Sequence, residues 1–424
     1  MKIEALHQLF LKCNSVCTDT RKIQKDDIFF AIKGENFNGN TYAKKAIELG
    51  AKYAVVDEAE FNNQTETILV NNVLETLQKL ASFHRNYLKI PIIALTGSNG
   101  KTTTKELINS VLSQKFKTTA TIGNLNNHIG VPLTLLSMTK DTEIGIVEMG
   151  ANHLKEIKFL CAIAQPNYGY ITNFGKAHLE GFGGVEGVIK GKSEMYDYLI
   201  TNNKIVFVNA KDPIQVEKTK NANSFSFGST KEDVVIDFVS ANPFVICHYN
   251  GINIESKLIG SYNFNNIAAA IAIGNYFKVK DTDIKTAIEN YIPSNNRSQI
   301  INKGSNKIIL DAYNANPSSM HAALSNFENQ TGYKTAILGD MFELGNDAEV
   351  EHQNIVEFAI SLNINQLIFI GENFYQYKTN SNKARKYKTF ENFKNDFNLS
   401  EIENNTLLIK GSRGMALERI LELL

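Results

Sequence analysis

The chain reads as an α/β protein in three domains. A small α/β unit comes first, then a central P-loop-type domain on a mostly parallel sheet with an antiparallel appendage, then a C-terminal doubly wound, Rossmann-like domain. Three observations predict this. At 424 residues the chain exceeds one ordinary domain, and length alone suggests about two to four. Strand-length apolar runs alternate with helical spacing, the pattern of parallel sheets covered by helices. One such run, Pro91-Ile92-Ile93-Ala94-Leu95, feeds a glycine-bearing turn that opens a helix.

Hydrophobic residues make up 43% of the chain, enough for real cores, and Lys plus Arg equals Asp plus Glu at 44 each. No charge excess points to a nucleic-acid partner or an anionic membrane. No apolar run approaches a membrane span, and Met1-Lys2-Ile3-Glu4-Ala5 lacks the apolar core of a signal peptide. A cytoplasmic protein with no nucleic-acid partner and no membrane insertion is expected. The four cysteines, Cys13, Cys17, Cys161 and Cys247, are scattered. Cys13 and Cys17 make at most a metal half-site that no zinc-spaced pair completes, so ordinary reduced thiols are expected.

Residues 1–87 carry short strands at 27–32 and 51–56, with a helical stretch at 42–49 between them. Residues 88–293 begin at the strand before the glycine turn. Further strands are expected at 144–148, 168–172 and 204–208, separated by helical patterns at 133–138, 154–164 and 185–199. Residues 223–260 shift to short alternating segments, the expected antiparallel appendage, and helices at 263–276 and 282–291 close the block. Pro293-Ser294-Asn295-Asn296 is a polar break and the expected linker. Residues 294–424 resume the alternation, with strands at 307–311, 334–339, 366–370 and 406–410.

The most informative stretch is Thr96-Gly97-Ser98-Asn99-Gly100-Lys101-Thr102-Thr103. Its glycines let backbone N–H groups approach a polyphosphate, and the helix N-terminus behind them favours negative charge. Lys101 suits the outer phosphates and the Thr102 hydroxyl suits Mg²⁺. The general pattern has glycine five residues before Gly100, where this chain has Leu95; Gly97 makes a compact G-x-x-G-K-T-T form instead. The chain is expected to spend a nucleoside triphosphate.

Functional groups of doubly wound sheets gather at the carboxyl ends of strands. Glu148 ends one strand and suits Mg²⁺ beside Thr102. His178 follows the strand ending near Thr172, and its position alone leaves a ligand and a structural histidine equally open. Lys192, in Lys190-Gly191-Lys192-Ser193-Glu194, reads by residue type as a solvated helix lysine.

Several segments together resemble the Mur ligases, ATP-dependent amide-forming enzymes of peptidoglycan precursor synthesis. They are Thr96 to Thr103, Gly123-Asn124-Leu125-Asn126-Asn127-His128-Ile129-Gly130-Val131-Pro132-Leu133-Thr134, Glu148-Met149-Gly150 and Ala177-His178-Leu179-Glu180-Gly181. The resemblance covers nearly the whole chain. Asp311-Ala312-Tyr313-Asn314-Ala315-Asn316-Pro317-Ser318-Ser319-Met320 and Leu338-Gly339-Asp340-Met341-Phe342-Glu343-Leu344-Gly345 resemble the member that joins D-alanyl-D-alanine to UDP-N-acetylmuramoyl-tripeptide. The ligase acting before it typically has Asp-Asn-Pro-Arg where this chain has Asn314-Ala315-Asn316-Pro317.

The resemblance implies roles. Gly97, Ser98, Asn99, Gly100, Lys101, Thr102 and Thr103 would hold the ATP phosphates. Thr102, Glu148 and His178 would bind Mg²⁺, two ions in all, with Lys192 carbamylated so that a cation becomes a metal-positioning anion. Lys101, Lys192, His178, Asn127 and Arg297 form the implied catalytic set, with Asn127 and His128 near an acyl phosphate. Asn263 and Asn266 would lie by the adenine, where Asn263 also reads as a helix N-cap. Arg297 would serve the γ-phosphate or acyl phosphate and Asp311 the ribose. Lys410, Ser412 and Arg413 would serve the site or their own domain. Thr20 and Arg21, with the 33–40 segment, would hold the UDP-sugar, and Asn314 and Asn316 the peptide substrates. Departures fall at Asn38-Gly39-Asn40, where Asp-Gly-His is common, at Thr20 for Ser, and at Asn296 for Gly. A monomer is implied, whose C-terminal domain swings in over ATP and substrate. Two rivals remain: a ligase for another acceptor, and a P-loop switch that makes no amide.

Overall fold

The computed structural model describes residues 1–293, 296–396, 398 and 402–424. Its strands form three separate sheets, and the architecture is the mixed α/β, three-domain arrangement expected. The central part of the expected linker, Ser294 and Asn295, lies outside the described residues.

The first sheet has four parallel strands in chain order, Val16–Cys17, Ile28–Phe30, Tyr53–Val56 and Thr67–Leu69. Helix Val73–Leu88 follows it, with the Asn72 side chain accepting from Glu75 N and Lys89 ending it in the left-handed region. Val73, Leu77, Leu80, Ala81 and His84 line its buried face at helical spacing. The same helix bolts the N-terminal unit to the central one. Arg85 donates to Ala164 O, Gln165 O and Asn167 Oδ1. His84 Nε2 sits 2.9 Å from the Met138 carbonyl, so it donates, and its Nδ1 accepts from His7 Nε2 at 3.0 Å.

The central sheet has nine strands. From one edge they are Ile252–Ile259, Phe244–Tyr249, Val234–Ala241, Asn223–Gly228, Ile205–Asn209, Tyr168–Ile171, Ile92–Thr96, Ile144–Glu148 and Thr118–Ala120. The expected antiparallel appendage at residues 223–260 needs correction. Asn223–Gly228 and Val234–Ala241 extend the parallel sheet; the antiparallel pairing begins at Val234–Ala241, with Phe244–Tyr249 running against both Val234–Ala241 and Ile252–Ile259. Helix Pro213–Lys218 supplies the crossover that returns Asn223 alongside Ile205. Strand Ile92–Thr96 lies between two later strands, with Leu95 opposite Glu148 and Thr96 opposite Ile171. Chain direction across the sheet switches there, which opens a crevice at the strand ends.

Helix Asn263–Tyr276 is apolar nearly all round, buried from Ile267 through Gly274, and packs with helix Lys101–Leu112 in one core. The third sheet orders Gln299–Lys303, Asn306–Asp311, Asn405–Lys410, Tyr333–Gly339, Gln366–Ile370 and Ala384–Tyr387. All are parallel except the first, which forms a hairpin with its neighbour. The cysteines are free thiols, and burial pushes Cys13 up to about 11. No helix among the described residues is long and apolar enough to cross a membrane.

Candidate active site

The carboxyl ends of the central strands open into a cavity of about 840 Å³ between the central and C-terminal domains. The 97–100 turn forms one wall. Gly97 has φ of 140°, and a Cβ there would meet Thr172 Oγ1 at 2.0 Å, so only glycine fits. The turn is laced to the next strand's exit. Ser98 N donates to Asn173 O and Asn99 N to Asn173 Oδ1, while Thr172 Oγ1 and Asn173 Nδ2 donate to Asn99 O. Lys101 Nζ folds back onto the carbonyls of Gly97 (2.7 Å) and Ser98 (3.2 Å). Desolvation, with Arg297 nearby, lowers its pKa against the opposing pull of Glu148.

Glu148 is fully buried at the floor. Its Oε1 accepts from Thr102 Oγ1 at 3.2 Å and from Asn126 Nδ2 at 2.8 Å. Its Oε2 is buried without a hydrogen-bond partner among the described residues. A buried carboxylate oxygen left unpaired is costly, and a cation beside the Thr102 hydroxyl satisfies it. The residues therefore fit Mg²⁺. Among the described residues no three His, Cys, Asp or Glu side chains converge on one point, so beyond two such side chains, Glu148 and His178 both lining the cavity, the ligands would be hydroxyl, phosphate or water oxygens, as Mg²⁺ commonly takes.

Lys192 corrects the reading from residue type: it is a fully buried lysine rather than a solvated one. Its Nζ donates to Ala151 O at 2.9 Å and lies 5.0 Å from the centre of the Phe182 ring. Burial and the Lys101 charge push its pKa well down, only partly offset by Glu156 and Glu194. A neutral, nucleophilic amine is what CO₂ addition requires. The group sits behind the Ala151 wall of the cavity rather than on its lining.

His178, at the N-terminal end of a short helical turn, has φ of 55° and places Nδ1 2.5 Å from Oε2 of Glu343 on the C-terminal domain. Asn316 of that domain caps helix Pro317–Glu328 in a capping box with Ser319. Its Nδ2 also donates to Asn99 Oδ1 at 2.7 Å, so the phosphate turn touches the C-terminal domain directly. Arg297 lies 3.6 Å over the Tyr313 ring, its buried Nε lacking a hydrogen-bond partner among the described residues. Asp311 Oδ2 takes a 2.5 Å ion pair from Lys410, and its Oδ1 accepts from Ser298 N.

Among the other expected residues, Asn127, Asn263, Asn266, Asn314 and Lys410 also line the cavity. Asn127 lines the cavity, but its Oδ1 accepts from Ile129 N and Gly130 N, starting the next helix. Asn263 is the first helical residue and Tyr262 holds the N-cap position. The Asn263 and Asn266 amides bond each other, Ile259 O and Thr104 Oγ1, bracing the turn from below. Asn314 is exposed and its Oδ1 accepts from Ala315 N. Ser412 Oγ accepts from Phe342 N within its own domain, and Arg413 donates to Tyr313 OH. Thr20 and Arg21 are not brought to the cavity: none of its lining residues comes from 1–87, and Arg21 pairs with Asp19 at 2.7 Å.

Comparison with known proteins bears on this site. Residues 12–90 match the Mur ligase family catalytic domain, residues 95–274 the Mur ligase middle domain, and residues 296–413 the Mur ligase glutamate ligase domain. The UDP-N-acetylmuramoyl-tripeptide–D-alanyl-D-alanine ligase of Bacillus subtilis (strain 168) is 32% identical, over 96% of this chain and 92% of that protein. The chain belongs to the Mur ligase family. The ligase of the same name from Escherichia coli (strain K12) is 31% identical over 97% and 93% of the two chains. Among solved structures, MurF from Acinetobacter baumannii superposes with a TM-score of 0.87 at 29% identity, covering 100% of this chain and 98% of that one. MurF from Thermotoga maritima, in complex with ADP, gives 0.83 at 26% identity over 98% and 97%.

Five residues of this Mur ligase's site were not anticipated. Asn126 and Asn173 hold Glu148 and the phosphate turn, and Ser318 Oγ accepts from Lys176 N at 2.9 Å across the domain boundary. Lys105 Nζ donates to Thr121 O, and Thr121 Oγ1 accepts from Glu148 N. Asn126 and Asn173 carried a signal: each lies within, or just past, a segment already singled out.

Proposed function

We propose that this Mur ligase joins D-alanyl-D-alanine to the terminal carboxylate of UDP-N-acetylmuramoyl-tripeptide at the expense of ATP, forming the pentapeptide, ADP and phosphate. The observation that carries the reading is a phosphate turn facing the Asn314–Pro317 segment of the C-terminal domain across one cavity. Full-length relatives of that name support it. The working units are taken as residues 1–87 for the UDP-sugar, 88–293 for ATP and catalysis, and 294–424 for the nucleotide and incoming dipeptide. We take the enzyme to act as a cytoplasmic monomer, with Thr20 and Arg21 at the uridine end.

The chemistry is acyl activation followed by amide formation. The tripeptide carboxylate attacks the γ-phosphorus, releasing ADP and leaving an acyl phosphate. The dipeptide amine then attacks that carbonyl and phosphate departs. The amides of residues 98 to 103 and the helix behind them bind the polyphosphate. Lys101 leaves the carbonyls of Gly97 and Ser98 for the phosphate oxygens. Arg297, held flat by Tyr313, brings a second cation from the C-terminal side. Thr102, Glu148 and His178 would hold Mg²⁺, with a carbamylated Lys192 steadying them, and the bound ion would supply charge neutralisation of the phosphates. Asn316 and Ser318 clamp the 99 and 175–176 segments and so exclude water that would hydrolyse the acyl phosphate.

A coupled assay with purified UDP-N-acetylmuramoyl-tripeptide, ATP, Mg²⁺ and D-alanyl-D-alanine tests the proposal. Amide product stoichiometric with ADP is expected. ADP release without amide would support a switch, and product only with another amino acid from a panel would support a different acceptor.

A further inference from the structure

The Leu338–Gly345 segment distinguishes this chain in sequence, yet the mechanism above uses none of its side chains. Within it, Glu343 reaches out of the C-terminal domain and its carboxylate meets His178 Nδ1 at 2.5 Å. We infer that Glu343 is a positioning residue: on domain closure it takes His178 Nδ1, fixes the imidazole's rotation and tautomer, and leaves Nε2 as the nitrogen for the metal. The inference rests on the Mg²⁺ assignment of His178.

Three observations carry it besides the distance. Both residues stand in the left-handed region, with φ of 55° at His178 and 62° at Glu343, a conformation costly for each and held only by what surrounds it. Their backbones are also tied together, because Glu180 N donates to Glu343 O at 3.3 Å. Gly345 comes so close that a Cβ there would stand 3.1 Å from the Glu180 Cβ. The strained 178–180 turn and the strained 343–345 turn thus fit each other and not merely two side chains.

Metal-binding histidines usually give their second nitrogen to a carboxylate, which orients the ring and raises its basicity. Here that carboxylate belongs to another domain. An open enzyme would therefore hold a loosely oriented His178 and a weak metal site, and closure would complete it. This would link metal affinity to docking of the C-terminal domain and delay phosphoryl transfer until water is excluded.

The test uses the full-length enzyme with ADP and Mn²⁺ as the metal probe, followed by electron paramagnetic resonance titration. Nitrogen-15 NMR of the labelled histidines reports the His178 tautomer. Glu343→Ala is expected to weaken Mn²⁺ about tenfold or more, to leave Nδ1 no longer the fixed protonated nitrogen, and to lower kcat more than it raises KM for the dipeptide. Glu343→Asp should recover part of the affinity if the carboxylate matters, and unchanged circular dichroism guards against misfolding. His178→Ala separates the two readings. If it leaves Mn²⁺ affinity intact, the metal assignment fails and this inference with it. If it weakens Mn²⁺ while Glu343→Ala leaves affinity within twofold and the tautomer unaltered, only the inference is overturned.

Discussion

Gly100 offers a direct test of how the phosphate turn is braced. It sits at φ of 79°, and a Cβ there would meet Asn266 Oδ1 at 2.6 Å. Asn266 cannot yield freely, because its Oδ1 accepts from Thr104 Oγ1 at 3.0 Å and its Nδ2 donates to Asn263 Oδ1 at 2.8 Å. Gly100→Ala should therefore cost about 1–2 kcal/mol for the left-handed backbone, plus about 1 kcal/mol for each of the two buried bonds it breaks. The total is about 3–4 kcal/mol. Asn266→Ala alone loses the same two bonds, about 2 kcal/mol. In the double variant those bonds are lost once and the collision is gone, so it should be more stable than the sum of the singles by about 2 kcal/mol. Urea unfolding of the full chain by circular dichroism gives the four free energies, since the protein has no tryptophan to report by fluorescence. Calorimetric titration with ADP gives the effect on the site. Additive free energies, or a Gly100→Ala enzyme with unchanged stability and ADP affinity, would refute the bracing argument.

Lys192→Ala should lower turnover by about two orders of magnitude with partial rescue by a short added carboxylate, while Lys192→Arg, which cannot take up CO₂, should show no rescue; an active preparation whose intact mass and carbon-13 spectrum show only unmodified Lys192 sinks the carbamate. Asn316→Ala should cost the C-terminal domain about 1 kcal/mol through its lost cap and also loosen the Asn99 contact. Small-angle scattering with nucleotide and substrate should then show a larger particle than wild type, and identical profiles would remove Asn316 from docking. Burial holds the His7 and His84 imidazoles below the ordinary 6.5 in the folded chain, with mutual repulsion adding for His7. The unfolded chain thus binds more protons under acid, so stability is full above pH 6.5 and falls as pH drops below it. His84→Gln keeps a donor for Met138 O and should flatten that decline; parallel unfolding curves for the two proteins would reject it.

Much of this molecule can be read from local pattern. The elements at Ile144–Glu148, Asn263–Tyr276 and Gln366–Ile370 fall where apolar periodicity puts them, because each buries a face its own residues define. Short pieces escaped it. Thr118–Ala120 and Val16–Cys17 carry too few residues for any period, and the Gln299–Lys303 edge strand exists through its hairpin with Asn306–Asp311. The direction of Asn223–Gly228 also escaped it, since pairing is decided by the neighbour rather than by the strand.

The phosphate turn itself is written in the chain. Its glycines, lysine and threonine must be contiguous to wrap one polyphosphate, so Gly97 through Thr103 reveal their chemistry to anyone reading the letters in order. What surrounds them is set by folding. Lys192 looks like a surface lysine until burial pushes its pKa well down, and Glu148, already a metal candidate from its strand end, gains its physical argument once Oε2 is left without a partner among the described residues. The meeting of Asn99 with Asn316 and of His178 with Glu343 joins residues 217 and 165 positions apart. Adjacency along a chain carries local geometry, but desolvation and long-range pairing are properties of the closed, packed domains.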